Sequence, residues 1–315
     1  MTTAAAAGPP SVRVVVVTYS PGGSLADFLD SLATATRSPV EVVLADNGST
    51  DGVPERAAAE RPGVRLLPTG GNIGYGRAAN AGAAGAQPDW LVVANPDIVW
   101  SPGSLDTLLT ATARWPAGGS FGPAIRTPAG ELYPSARAFP SLGRGIGHAL
   151  CGWWWPANPW TAAYRRERGL PREGPTGWLS GSCLLLRRSA FENVGGFDPS
   201  YFMYFEDLDL CARLVAAGWQ NVHVPSAVVT HIGAHATKRD APRMLAAHHR
   251  SAYRYLSRRY AGARHAPLRL LLAGGLAVRY LLARRLRRVA DGPAPTRLAT
   301  LLGETSRGDR PPTAG

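Results

Sequence analysis

The chain has 315 residues, 45% hydrophobic and 18% charged, enough apolar side chain to bury a sizeable core, which excludes wholesale disorder, collagen and coiled coil. Its three cysteines, Cys151, Cys183 and Cys211, stand far apart with no CxxC pair, so no disulfide framework or cysteine zinc site is expected and a reducing compartment fits. Lys+Arg number 34 against 22 Asp+Glu, a net +12; Arg dominates, its forked guanidinium favours phosphate, and nucleic acid, anionic lipid or a phosphorylated substrate are admissible partners.

Residues 1–10 lack the basic and apolar regions of a signal peptide and are read, with 291–315, as mobile tails. Arg13–Tyr19 (RVVVVTY) is a β-branched run, expected as a strand buried on both faces. Ser24 is placed as the cap of a helix over Leu25–Ala35. Val40–Ala45 predicts a second strand, ending in the polar turn DNGSTDG (Asp46–Gly52). Val64–Leu67 predicts a short third strand, and Gly76–Ala86 a helix of small residues. Trp90–Ala94 predicts a fourth strand ending in Asn95–Pro96–Asp97, followed by a helix over Pro102–Arg114. Such alternation implies a mainly parallel sheet with helices on both faces.

Residues 126–176 read as irregular and aromatic. Trp178–Arg188 returns to strand character, Glu206–Ala217 to helix, and Val222–Val224 and Val228–His231 to short strands. From about residue 240 the chain reads as Arg-rich helix. No run of about 18 uninterrupted apolar residues occurs, so an ordinary transmembrane helix is not expected. Residues 268–289 put Leu268, Leu271, Leu272, Val278, Leu282, Leu286 and Val289 on one helical face, with Arg269, Arg284, Arg287 and Arg288 largely opposite. A basic amphipathic helix of this kind suits an anionic membrane interface, and it equally suits packing on the domain or on another subunit. The cluster Trp153, Trp154, Trp155 and Trp160 fits either a membrane interface or an aromatic core.

Ligands of open α/β sheets bind beyond the carboxyl ends of the strands. Thr18 and Tyr19, then Asp46, then Asn95 and Asp97 collect at those ends, from three separate segments. Ordinary turn chemistry explains each turn alone; three converging loops favour a site. A P-loop is absent, and Gly70–Gly76 (GGNIGYG) does not match GxGxxG, which speaks against a nicotinamide dehydrogenase. Its glycines still allow a tight backbone path, and the following Arg77 can meet a diphosphate.

The ordered set VVVVTY, LADNGSTDG, GGNIGYGRAAN, VVANPDI, WLSGSCLLLRR and GGFDPSYFMYFEDLDLCARL, spanning about residues 12–235, resembles the family 2 glycosyltransferases. Within them, VTYSPG and RLLPTGGNIGYG resemble the actinobacterial rhamnosyltransferases that act on N-acetylglucosaminyl-diphospho-decaprenol. The resemblance implies an α/β GT-A fold, Rossmann-like with a mainly parallel sheet flanked by helices. It makes 11–239 the catalytic domain and 240–290 a basic helical, membrane-associating extension. It implies inverting transfer of L-rhamnose from dTDP-L-rhamnose to the GlcNAc of a polyprenyl diphosphate, in cell-wall linker synthesis on the inner face of the plasma membrane.

The resemblance also implies residue roles. Thr18, Tyr19, Asp46, Asn47, Ser49, Asn72, Arg77 and Asn95 would hold the donor, with Asp46 accepting the pyrimidine N–H. Asp97, the last carboxylate of a DXD that here reads NPD, would bind a divalent metal, Mg2+ or Mn2+, together with His231; His235 is the competing ligand. Asp207, beside Glu206, would be the general base, although an acidic first helical turn is also what the helix dipole favours. Ser180, Gly181 and Ser182 would line the acceptor and sugar pocket, or serve as small residues in a packed strand. Cys183 and Cys211 are read as buried small hydrophobes. Another family 2 donor, or a basic nucleic-acid-binding protein, are the alternatives; no RNA- or DNA-binding signature accompanies the Arg-rich helix, so no nucleic acid is expected. An oligomer is left open.

Overall fold

The computed structural model describes residues 11–85, 88–140, 172–233 and 241–290. The β-branched run forms β1 (Val12–Thr18), buried along its whole length. Its alternation feeds two cores. Val14 and Val16 pack with Leu25, Phe28 and Leu108 on one face. Val15 and Val17 pack with Ala78, Phe191, Phe197 and Leu210 on the other. Each fully buried Leu or Phe in these layers contributes roughly 1.5–3 kcal/mol of transfer free energy.

The elements follow in chain order: α1 (Ser24–Ala35), β2 (Val40–Asp46), α2 (Val53–Glu60), β3 (Val64–Pro68), α3 (Tyr75–Ala83), β4 (Trp90–Ala94), β5 (Ile98–Trp100), α4 (Ser104–Arg114) and β6 (Gly118–Arg126). Short strands β7 (Leu132–Tyr133), β8 (Ala136–Arg137), β9 (Gly174–Thr176) and β10 (Trp178–Leu179) precede β11 (Cys183–Arg187). Then come α5 (Arg188–Asn193), α6 (Glu206–Ala216), β12 (Gln220–His231), α7 (Ala241–Arg259) and α8 (Ala266–Ala290).

The main sheet runs β3-β2-β1-β4-β11-β6-β12-β5. Strands β3, β2, β1 and β4 are parallel, with Thr18 opposite Asp46 and Val16 opposite Ala94. The chain steps from β1 to β2 and β3 on one side, then crosses to β4 on the other. The reversal opens a crevice between the ends of β1 and β4, where such sheets bind ligands. Beyond β4 the sheet is mixed: β11 is antiparallel to β4 and β6, while β12 is parallel to β6.

Several expectations change. Ser24 is the first helical residue, with Gly23 at the cap position and no side-chain cap bond. Helices α2 and α5 and strands β5 and β6 were not expected. The sequence of β6, GGSFGPAIR, carries the strand-weakening residues Gly and Pro, yet Gly122 is required there: a Cβ would lie 2.8 Å from Leu179. The single strand expected over Trp178–Arg188 breaks into β10 and β11 around a turn at Ser180–Ser182. The two short strands near the end of the sheet join as β12, with a register shift between Val224 and Val228. The tails, the Trp153–Trp160 cluster, Cys151 and His235 lie outside the described residues; Cys183 and Cys211 are buried and free.

Helix α7 is anchored on the segment that leads into α6. Ser251 donates to the Met203 carbonyl at 2.9 Å, and Arg258 pairs with Asp198. Arg254 lies over the Tyr201 ring. Helix α8 is different. Leu270 and Leu271 are 75% and 72% exposed, and Val278, Leu281 and Leu282 are exposed as well. By length and composition Ala263–Arg285, at mean hydropathy 1.4, is long and apolar enough to cross a membrane, contrary to the expectation from its interrupted apolar run, because Arg269 and Arg279, the arginines of its middle part, are few enough to leave the segment apolar on average.

Candidate active site

A cavity of about 640 Å³ opens at the β1/β4 crevice. One wall comes from the ends of the parallel strands and presents Tyr19, Asn47, Asn72, Asn95 and Asp97. A second wall, joined to the first where the Asn95 N–H donates to the Ser182 carbonyl at 2.9 Å, comes from the 180–182 turn, the start of α6, the β7–β8 segment and α7.

The first wall rests on a hydrogen-bonded latch. Asp46 Oδ1 accepts from the hydroxyls of Thr18, at 2.7 Å, and Ser49; Oδ2 accepts from the backbone N–H groups of Gly48 and Ser49 at 3.1 and 3.0 Å. Ser49 Oγ accepts in turn from the Ser20 N–H at 2.7 Å. A carboxylate offers about four acceptor positions, and Asp46 uses all of them, one to tie β1 to β2 through Thr18 and three within its own turn. Thr18, Asp46 and Ser49 therefore stand behind the cleft surface. Asn47 joins this latch to the glycine loop, donating to the Gly74 carbonyl at 3.3 Å, and Asn72 accepts from the Gly74 N–H at 3.2 Å. Arg77 is not brought into the cleft: its Nε donates to the Pro199 carbonyl at 2.5 Å.

Asp97 and His231 meet because β5 pairs with the end of β12, Ile98 opposite His231. Oδ1 of Asp97 is buried and receives no hydrogen bond; it lies 3.1 Å from Nε2 of His231. Asn95 Nδ2 is 3.3 Å from the same nitrogen. Among the described residues no cluster of three His, Cys, Asp or Glu side chains forms, so the protein supplies this pair and the adjacent amide.

On the second wall, Tyr204 and Phe205 adopt φ of 66° and 67° immediately before Glu206. Consecutive non-glycine residues in the left-handed region store strain, which is characteristic of functional sites. This double bend turns α6 so that Glu206 and Asp207 face the cavity. Asp207 Oδ2 accepts from the Gly181 N–H at 2.8 Å, and Oδ1 from the Leu208 N–H at 2.8 Å. A Cβ at Gly181 would lie 3.0 Å from that of Asp207, so a small residue is needed at this contact. Burial raises Asp207 above the ordinary carboxylate range, while its backbone hydrogen bonds and the charge of Arg137 pull it partly back. Burial, and then the neighbouring Asp207, push Glu206 up to about 8. Its Oε2 is buried without a partner.

Ser180, Gly181 and Ser182 line the cavity, as expected. Sequence reasoning missed Arg137 and Trp178 from the short strands, and Arg243, Met244 and His248 from α7. The only signal for α7 was its Arg content, which was read as a membrane-facing feature. His248 packs against both Tyr204 and Phe205 with ring centroids 5.5 Å apart, so α7 supports the strained bend directly.

The protein-family model described as glycosyl transferase family 2 matches residues 13–195, and that of glycosyl transferase family group 2 matches 171–289. The chain is 58% identical over 277 residues, 84% of its length and 90% of the relative's, to the N-acetylglucosaminyl-diphospho-decaprenol L-rhamnosyltransferase of Mycobacterium tuberculosis. The solved structure of the mannosyltransferase PcManGT from Pyrobaculum calidifontis, in complex with GDP-Man and Mn2+, matches 91% of this chain and 77% of that one, at TM-score 0.53 and 20% identity. The structure of GalNAc-T7 with UDP, GalNAc and Mn2+ also gives a TM-score of 0.53, at 15% identity, over 71% of this chain and 44% of that one. Both structural likenesses concern the fold alone.

Proposed function

The chain belongs to glycosyl transferase family 2, and from that premise we propose that it transfers L-rhamnose from dTDP-L-rhamnose to the GlcNAc of a polyprenyl diphosphate, with inversion, in cell-wall linker synthesis. The observation that carries the substrate assignment is the 58% identity to the mycobacterial rhamnosyltransferase across 84% of this chain. The GT-A fold and the glycosyltransferase class are those of the family; the residue roles below are our assignment.

Asp207 acts as general base. Its carboxylate is held by two backbone N–H groups at the cavity wall, and burial raises its pKa, which makes it a stronger proton acceptor. It takes the proton of the acceptor hydroxyl as that oxygen attacks the anomeric carbon. The bond from that carbon to the diphosphate breaks on the opposite face, and dTDP departs with the bonding electrons. Glu206, pushed up to about 8, keeps its proton at neutral pH and spares the pair two adjacent charges.

Asp97 and His231, with Asn95 beside them, fit a divalent cation, Mg2+ or Mn2+. The orphaned Oδ1 and the imidazole Nε2 lie 3.1 Å apart, close to the ~3 Å between neighbouring donors on a small cation with bonds of about 2.0–2.1 Å. When bound, such a cation would neutralise negative charge developing on the leaving group. Tyr19, Asn47 and Asn72 face the nucleotide. We assign Thr18, Asp46 and Ser49 to holding the strand ends. For Asp46 to accept the pyrimidine N–H, one of its four bonds, three within the turn and one from Thr18, would have to break. Arg77 braces the segment before α6 through Pro199.

The lipid acceptor implies a membrane surface, and we assign the contact to α8, whose apolar side chains are exposed beside arginines. Replacing Leu270, Leu271 and Val278 with Gln should lower co-sedimentation with anionic vesicles several-fold while leaving turnover of a short soluble acceptor intact; unchanged sedimentation would remove α8 from that role. The decisive test of the reaction is a transfer assay with dTDP-L-rhamnose and polyprenyl-diphospho-GlcNAc, with Mg2+ or Mn2+ and with EDTA. Metal-dependent rhamnosyl lipid is expected; turnover of a UDP-hexose in its place would overturn the donor.

A further inference from the structure

We propose that Tyr75 is the positioning residue of the base: its hydroxyl fixes the Gly181 turn that orients Asp207, and its backbone fixes the segment that leads into α6. The proposal rests on the role assigned to Asp207 above and names what holds that carboxylate in line. It gives the glycine-rich stretch GGNIGYGRAAN, whose sequence suggests a donor site, a second task.

Tyr75 opens α3, directly after the glycine loop, and is buried at the cavity. Its hydroxyl donates to the Gly181 carbonyl at 2.7 Å. The N–H of the same Gly181 donates to Asp207 Oδ2 at 2.8 Å. The two bonds lie on either side of one α-carbon, so a shift of the carbonyl carries the N–H with it. The flanking residues are fixed by backbone bonds: the Ser180 N–H donates to the Ser135 carbonyl at 2.8 Å, and the Asn95 N–H to the Ser182 carbonyl at 2.9 Å. Glycine is the residue with the most backbone freedom and has no side chain of its own to anchor it. At Gly181 the Tyr75 hydroxyl is that anchor.

The other support of Asp207 is the chain before α6, and α3 holds it as well. The Tyr75 N–H donates to the Phe202 carbonyl at 3.0 Å. Asn80 exchanges two hydrogen bonds with the Phe197 backbone, at 2.7 and 2.9 Å, and Arg77 donates to the Pro199 carbonyl. This approach needs glycine: a Cβ at Gly74, whose φ is 92°, would lie 2.4 Å from the Phe202 carbonyl oxygen, and one at Gly76 would lie 2.9 Å from the Phe197 Cβ. Residues 197–202 are thus fastened to α3 immediately before the strained pair Tyr204 and Phe205. The Tyr75 ring stands edge-on to Phe197, with centroids 6.2 Å apart, which sets the direction of its hydroxyl. Asn72 of the same loop faces the cavity, so the loop that meets the donor also sets the base.

The hydroxyl is a dependable donor. Burial first, and then the nearby Glu206, hold Tyr75 well above the ordinary tyrosine range, so it keeps its proton. Its influence on Asp207 has a definite sign. Hydrogen bonds to a carboxylate favour the charged form, and the one from the Gly181 N–H is the strongest that pulls Asp207 down against burial. Slackening it raises the base further. The other titratable and charged groups around Asp207 are Glu206 and Cys211 on its own helix and Arg137 from β8. Removing a neutral hydroxyl alters none of their charges.

The test is Tyr75→Phe in the full-length protein, which keeps the ring, its packing and the backbone N–H. The kcat for rhamnosyl transfer should fall roughly tenfold, the scale of a reactive group out of line rather than of one removed. Affinity for dTDP-L-rhamnose should stay within about twofold of wild type, which separates kcat from binding. The acid limb of the kcat profile should move to higher pH. Gly82→Ala, in the same helix and away from the hydroxyl, should lower stability and leave that limb in place. An unmoved limb in Tyr75→Phe overturns the proposal whatever happens to the rate, because a merely structural loss lowers kcat at every pH alike. Loss of donor affinity with kcat retained assigns Tyr75 to the donor and overturns it too. A second readout needs no turnover. The Asp207 carboxyl carbon, followed by carbon NMR and identified by its disappearance in Asp207→Asn, should titrate at higher pH in Tyr75→Phe than in wild type. Absence of rhamnosyl transfer by wild type refutes the reaction reading, and this titration still decides whether Tyr75 sets the carboxylate: coincident curves overturn it.

Discussion

The two walls of the cleft are built on opposite terms. The wall at the ends of β1, β2 and β4 satisfies its own polar groups: Thr18, Asp46, Ser49 and Asn47 bond to one another and to neighbouring backbone. The wall around α6 does not. Its backbone carries two left-handed non-glycine residues, Glu206 keeps an unpaired buried oxygen, and both adjacent acids are shifted upward by burial. The first wall contributes shape and stability, the second keeps reactivity at the cost of stability. Substitutions should therefore separate cleanly into those that unfold and those that inactivate.

The largest effect is expected on the second wall. Asp207→Asn retains an oxygen for one of the Gly181 and Leu208 N–H groups, leaves the other without its acceptor, and removes the proton acceptor. Transfer should fall by about 10³-fold, in the middle of the range for a lost general base. Donor affinity should stay within about threefold and the urea midpoint should change little, since the lost backbone hydrogen bond is offset by replacing a buried carboxylate with a neutral amide. Loss of donor binding, or unfolding, would break the division between the walls.

Asp97 is the exception that sharpens it. It stands on the first wall, yet its Oδ1 has no hydrogen bond. Asp97→Ala should lower metal-supported binding of dTDP-L-rhamnose and turnover by roughly 10²-fold, the scale on which a single charge-stabilising group acts in a preorganised site. EDTA should reproduce much of this loss in wild type and add little to the variant. Equal sensitivity to EDTA in both proteins would place the cation elsewhere.

Gly82→Ala tests the other half of the contrast. The new Cβ would lie 2.4 Å from Val15 Cγ1, where α3 rests on β1. Overpacking of this kind costs about 1–3 kcal/mol. The urea midpoint should drop by that amount, with kcat unchanged at temperatures where the protein stays folded. A fall in kcat without a loss of stability would show that the sheet tunes the chemistry.

The same division governs what could be read in the sequence. The first wall was legible because β-branched runs and polar turns are local signals; Asn95, Asp97 and the turn after β2 could be located from them. Their use was less legible. Nothing in DNGSTDG reveals that Asp46 spends every acceptor on its own turn and on Thr18, and nothing after the glycine loop reveals that Arg77 turns away to Pro199. The second wall is assembled from pieces with no period. Strand β6 hides behind its glycines because their partners, Trp219 and Leu179, are distant in sequence. Arg137 sits in a stretch without a motif, and α7 joins the site only through tertiary packing. The acidic pair was found through resemblance; its strained bend could not be.

The smallest expected effect concerns Glu206, and it follows from sign. An ordinary glutamate loses its proton near 4.5, whereas the folded protein holds this one up to about 8. Between those values the folded state binds a proton that the unfolded state has released, so stability falls as pH rises through the window. Glu206→Gln abolishes this titration while preserving the side chain's size. Asp207 is shifted in the same direction and remains, so the slope should shrink rather than vanish. The melting temperature of wild type should fall between pH 5 and 8.5, and the variant's should fall by about two degrees less, as expected when about a kcal/mol is at issue in a protein of this size. Parallel melting curves would mean that Glu206 ionises near its ordinary pKa and is reached by water. The second wall would then be stabilised like the first.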